Sequence, residues 1–136
     1  MTDSVIASAW PAALMPSLAG PQSLFVEAVS FCRGKLSIQI ARANNQCMFP
    51  FADVLFDSVI GYRVLDERDL QTFWSACTSL QGWMFEIHAN GWLQEELRRP
   101  GSCMNFYNQP REWLIPGLET CVSVLSEQAP EVHLSA

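Results

Sequence analysis

Residues 111–132 read REWLIPGLETCVSVLSEQAPEV, and this stretch decides the fold. Arg111 to Ile115 and Cys121 to Leu125 each have strand character. Pro116-Gly117 between them is a tight-turn signal. Pro130 then stops the run and leaves a short tail. Nothing in the stretch has the pattern of a catalytic group. Its role is to tie the end of the chain into a sheet, with Trp113 facing inward and Arg111 or Glu112 in a structural ion pair.

Upstream, Leu24–Phe31 and the alternating Leu36, Ile38 and Ile40 flank the turn Arg33-Gly34-Lys35 and predict a hairpin. Val54–Val64 reads as one long central strand, apolar on both parities. Asp66 is a good N-cap, and Asp69 three residues on resembles a capping box. Leu70, Phe73, Trp74 and Cys77 then follow the spacing of a buried helix face, ending at Gln81-Gly82. Trp83–His88 alternates as a strand. Ala89-Asn90-Gly91 carries the favoured Asn-Gly hairpin pair. Gln94–Arg99 is a charged segment without a clear period, and Cys103–Tyr107 is a further strand candidate. Residues 1–21 are small, apolar and broken by Pro11 and Pro16. They predict a loosely ordered arm with a helical turn near Ala12–Met15 or packing through Trp10 and Leu14, ahead of one domain over 22–136. The expected class is α+β: an antiparallel sheet of about six or seven strands with one main α-helix packed on one face.

The 136 residues are 49% hydrophobic and include fifteen aromatics, so one full core is within reach without metals or disulfide staples. Only 16% are charged, which leaves apolar surface for a partner. The net charge of −6 lies mostly in the second half: residues 1–68 carry six acids and five bases, residues 69–136 eight acids and three bases. That field opposes phosphate-rich ligands, which argues against nucleic acid, and attracts a basic protein. Five cysteines without a CxxC spacing favour free thiols in a reducing compartment over a disulfide scaffold or a zinc ribbon. The N-terminus lacks the basic region of a signal peptide, and no apolar run is long enough to span a membrane, so a cytoplasmic location is expected.

No G-x-S-x-G, P-loop, H-E-x-x-H or G-x-G-x-x-G pattern occurs. A Cys103–His88 pair is the sharpest enzymatic reading, and a surface histidine is the plainer one. His133 falls in the tail. Asp66, Glu67 and Asp69 could be metal-binding carboxylates, but stabilisation by the dipole of a helix start explains them better. Glu95 and Glu96, with Glu86 and His88 nearby on the preceding strand, form the candidate partner-binding surface; Arg98 and Arg99 would blunt it if they point the same way. No cofactor is expected, and the chain is expected to be a monomer or a small homo-oligomer.

Three segments, VIGYRVLDERDLQTFW at 59–74, GWMFEIHANGW at 82–92 and 111–132, together resemble small bacterial immunity proteins of the polymorphic, Rhs-type toxin systems. The resemblance covers roughly residues 22–132. It implies a cytosolic antitoxin that binds a cognate toxin domain and blocks its active site without catalysis. The matched Tyr62, Arg63, Asp66, Glu67, Trp92, Arg111, Glu112 and Trp113 read as fold determinants. The alternative is a small-ligand-binding or regulatory module with a pocket in the curved sheet.

Overall fold

The structure, a computed structural model, describes residues 4–10, 23–44, 46–78 and 81–135. Its elements in chain order are β1 (Ile6–Ala9), β2 (Ser23–Cys32), β3 (Lys35–Ala43), β4 (Met48–Phe56), β5 (Val59–Asp66), β6 (Phe85–Ala89), α1 (Trp92–Arg98), β7 (Arg111–Ile115), β8 (Thr120–Ser126) and β9 (Glu131–Leu134). The strands form two antiparallel sheets, one of five in the order β1-β6-β7-β8-β5 and one of four in the order β2-β3-β4-β9.

The expectation of a single six- or seven-stranded sheet is therefore corrected to two sheets. The physical reason is cover. A helix about 10 Å wide shields roughly two strands spaced at ~4.8 Å. The apolar faces of β3, β4, β7 and β8 need more than that, and a second sheet supplies it. Leu36, Ile38, Val54 and Phe56 of the smaller sheet meet Trp113, Ile115, Val122 and Val124 of the larger one in a continuous core.

Two short links carry the chain from sheet to sheet. Val54–Val64 is not one strand: it breaks at Asp57-Ser58, with β4 in the smaller sheet and β5 at the edge of the larger. The stretch 111–132 likewise gives β7 and β8 to one sheet and begins β9 in the other, so its tail, His133 included, is paired with β4. At the opposite end the Pro116-Gly117 turn clasps the sheets together. The Leu118 N–H donates to the Leu24 carbonyl of β2 at 2.9 Å. A Cβ on Gly117 would sit 2.6 Å from the Thr120 carbonyl and 3.1 Å from the Val26 backbone, so only glycine fits.

The larger sheet is covered on its outer face too. Phe85, Ile87, Leu114 and Cys121 lie under Leu70, Phe73 and Cys77. Those last three keep the expected buried spacing, but Trp74 is exposed and the segment is not an α-helix. It is a 3₁₀ turn at Glu67–Leu70 followed by irregular turns, and the Phe73 and Ala76 N–H groups reach only three residues back. Thr72, Phe73, Trp74, Ser75, Cys77 and Thr78 are weak helix formers, so packing of three side chains does not wind them into a regular helix. Asp66 does cap this turn, accepting from the Arg68 N–H at 2.9 Å.

The one α-helix among the described residues falls on the charged segment instead: Leu93, Gln94, Glu95, Glu96, Leu97 and Arg98 are strong helix formers. Asn90-Gly91 accordingly starts α1 and does not turn a hairpin, and Cys103–Phe106 is a 3₁₀ turn, not a strand. Within residues 1–21, Ile6–Ala9 pairs with β6, and Trp10 packs on the core between the sheets. Ala12–Met15, with Leu14, lie outside the described residues. No helix among the described residues is long and apolar enough to cross a membrane.

Candidate functional site

Strand parity places two Arg–Glu–Trp groups on opposite faces of the larger sheet. On the inner face, Glu86 of β6 stands opposite Trp113 of β7. Arg111 forks onto Glu86, Nε to Oε2 at 2.8 Å and an Nη to Oε1 at 3.0 Å. Its guanidinium lies 4.5 Å from the Trp113 ring centre and 5.4 Å from that of Trp10. The hydrogen bonds to Glu86 raise the Arg111 pKa above its ordinary value. Glu86 thus has both oxygens engaged and serves the join between β1, β6 and β7.

On the outer face, Glu112 is almost wholly buried. It accepts from the backbone N–H of Trp92 at 3.1 Å and of Leu93 at 2.8 Å. Gly91, the residue that opens α1, provides no side-chain cap, so a carboxylate from a neighbouring strand takes that role. A Cβ on Gly91 would lie within 2.8 Å of both Glu112 oxygens, so glycine is what lets the carboxylate reach the backbone. Burial raises the Glu112 pKa; the two N–H donors and the charge of Arg63 work against that rise.

Arg63 of β5 completes the outer group. Its guanidinium lies 4.6 Å from the Trp92 ring centre. Its Nε is buried and has no hydrogen-bond partner among the described residues. Burial lowers its pKa, and four carboxylates, Glu112, Glu95, Glu96 and Asp69, oppose that shift. The cation therefore sits in a surplus of negative charge. Beyond it, the Glu67 N–H donates to the Glu119 carbonyl at 3.1 Å, which sets two further acids side by side.

The four expected partner-binding residues divide between these groups. Glu95 and Glu96 sit together on α1 over the outer face; Glu86 and His88 belong to β6. Glu96 is held by Arg99 at 2.8 Å and receives the Trp92 Nε1–H at 3.3 Å, and the Arg99 hydrogen bonds lower its pKa. Arg99 pairs with Glu96, while Arg98 and Glu95 are both exposed and make no ion pair among the described residues. His88 Nε2 hydrogen-bonds Ser8 Oγ at 2.7 Å, and no hydrogen bond joins it to Cys103. Cys77 and Cys121 are buried thiols pushed up to about 12 by desolvation. Asp66, Glu67 and Asp69 surround a 3₁₀ turn, and no metal-holding group of three or more ligands occurs among the described residues.

Sequence reasoning missed the place of Arg63 and Asp69 beside Glu95. The carboxylate–arginine–tryptophan set is assembled from β5, the 67–77 segment, α1 and β7, and no local spacing announces it. No family model, curated protein or solved structure matches the chain.

Proposed function

We propose that this chain is a binding module that docks a basic protein on the acidic outer face of its larger sheet and acts by covering that partner, without turnover. The observation that carries this reading is the coexistence of the exposed Trp74 with carboxylates that make no ion pair among the described residues, Glu67, Asp69, Glu95 and Glu119, while the exposed Tyr62 and Val64 lie on the opposite parity of the adjoining edge strand β5. Apolar side chains beside a local excess of unpaired acids over unpaired bases, here Arg63 and Arg98, suit recognition of a partner with the opposite charge.

The resemblance of segments 59–74, 82–92 and 111–132 to immunity proteins gives the partner a class, a toxin domain whose active site is blocked. Both polar groups support a stoichiometric role. Glu86 and Arg111 are consumed in an internal pair, and Glu112 is consumed in starting α1, so the remaining charge serves attraction. The test is co-expression with the product of the reading frame next to its own. Rescue of growth and a 1:1 complex whose association slows with added salt are expected. A neighbour that is harmless alone, or substrate turnover by the purified chain, overturns the reading.

A further inference from the structure

The larger sheet ends in two unlike edges. β1 is four residues long, whereas β5 is eight residues long and pairs on one side only, with β8. At its start the Val59 N–H is taken by the Gly34 carbonyl at 2.9 Å. From Gly61 to Asp66 no described strand pairs with the other side. Proteins commonly blunt such an edge with proline, lysine or a short strand. β5 has a register shift at Val59/Gly61 and one cation, Arg63, but beyond the shift it has neither proline nor lysine and reads Gly-Tyr-Arg-Val-Leu-Asp.

Its side chains alternate in chemistry. Tyr62 and Val64 stand opposite Val124 and Val122, the parity of the core between the sheets, yet they are 37% and 49% exposed. Phe31 at the end of β2 is 49% exposed and stacks on Tyr62 at 5.5 Å, so the open seam between the sheets is apolar. The other parity presents Arg63, on which the charges of Glu112, Glu95, Glu96 and Asp69 act and whose guanidinium lies over Trp92. Asp66, Glu67 and Asp69 follow at the strand's end.

We infer that β5 accepts an added strand, an extended segment of the partner in which apolar residues alternate with lysine or arginine. This rests on the docking reading above and gives it a mode. Main-chain hydrogen bonds would extend the larger sheet from five strands to six. The apolar side chains would fill the Phe31–Tyr62–Val64 seam, and the basic ones would fall on the acidic outer face. A second copy of this chain fits the seam less well, because two chains of −6 repel each other.

The experiment uses the full chain and a short capped peptide of alternating valine and lysine, with amide hydrogen exchange read by NMR. Expected is slowing by about tenfold, confined to β5 amides, lost when alternate peptide nitrogens are methylated, and lost in Val64→Lys. Equal slowing by the methylated peptide, or no change in β5 exchange, overturns strand addition. If the peptide instead shifts α1 resonances in a salt-sensitive way, strand addition fails and the acidic docking face stands. If no resonance responds at any salt concentration, both fail. Slowing of β5 amides that appears without peptide and grows with protein concentration assigns the edge to a second copy and also overturns the inference.

Discussion

The two faces of the larger sheet hold the same three residue types and use them in opposite ways. On the inner face Arg111 and Glu86 satisfy each other between Trp10 and Trp113. On the outer face Arg63 stacks on Trp92, but Glu112 gives its oxygens to the backbone of α1 and leaves Arg63 without a matched carboxylate. An arginine and a glutamate that pair inside a sandwich neutralise one another and become scaffold. When the glutamate is diverted to a helix start, the arginine gathers further acids, and the face keeps an unspent negative field. The outer group is therefore the one with charge left to attract a partner, although both groups look alike in composition.

The comparison breaks first at the tryptophans. Trp113 is wholly buried, packs edge-on to Trp10 at 5.1 Å and contacts Phe56 at 6.1 Å between ring centres. Trp113→Ala is expected to cost about 3–5 kcal/mol in urea denaturation. Trp92 is only half-buried, and Trp92→Ala is expected to cost about 1–2 kcal/mol, part of it the stacking with Arg63. Equal costs would mean that the outer group is core as well, and its claim to be a docking face would weaken.

Next comes Glu112→Gln. Both carboxylate oxygens accept backbone N–H groups, so a glutamine must set its own N–H₂ against one of them. A loss of about 1–3 kcal/mol follows. Its pH dependence has a definite sign. The folded-state pKa of Glu112 is raised, so above the ordinary carboxylate range the folded chain binds more protons than the unfolded one. The contribution of this group therefore falls as pH rises through the raised pKa and recovers on acidification. Glutamine does not titrate, so the stability gap between wild type and variant should be wider at about pH 5 than at about pH 8. Asp66 does not obscure this, because its pKa is lowered to about 2 by Arg68 and its own loss comes at stronger acidity. A gap that widens with rising pH would show that burial does not dominate at Glu112.

Several of these groups were half legible in the chain. Trp113 inward, Asp66 as a cap and the Leu70–Phe73–Cys77 face follow from local pattern, and the structure has all three. Period-two alternation fixes which side chains share a face; it does not fix which sheet the strand joins. Val54–Val64 keeps one parity straight through Asp57-Ser58, so the change of sheet leaves no mark in the pattern. Helix α1 was hidden for a different reason. Its stripe is only Trp92, Leu93 and Leu97, Asn90-Gly91 before it reads as a hairpin turn, and its cap comes from Glu112, twenty residues later. The acidic face shares that fate, since Arg63, Asp69, Glu95 and Glu112 meet only once the strand order is known.

A smaller effect separates the two arginines. Glu86→Gln keeps one oxygen for Arg111 but removes the charge of a fork that is partly open to solvent. About 1 kcal/mol of stability is expected to go, and added salt should narrow the difference. Association with a basic partner should be unaffected, because that charge was already neutralised by Arg111. A marked change in on-rate would move part of the docking surface to the inner group.

The smallest stability effect and the sharpest functional one belong to Glu95→Lys. The side chain is exposed on α1 and makes no ion pair among the described residues, so unfolding should shift by less than about 0.5 kcal/mol. Its carboxylate nonetheless acts on Arg63 together with those of Glu96, Glu112 and Asp69. Reversing it removes negative charge from the outer face and places a cation beside one that already lacks a matched partner. If the outer face docks a basic partner as proposed, association should slow severalfold at low salt, and the difference should vanish as salt approaches the range where the Debye length falls to about 3 Å. The same reversal at Asp53, on the solvent face of the smaller sheet, should leave the rate unchanged. If both reversals slow association equally, attraction depends on net charge alone, and the outer face loses its distinction from the rest of the surface.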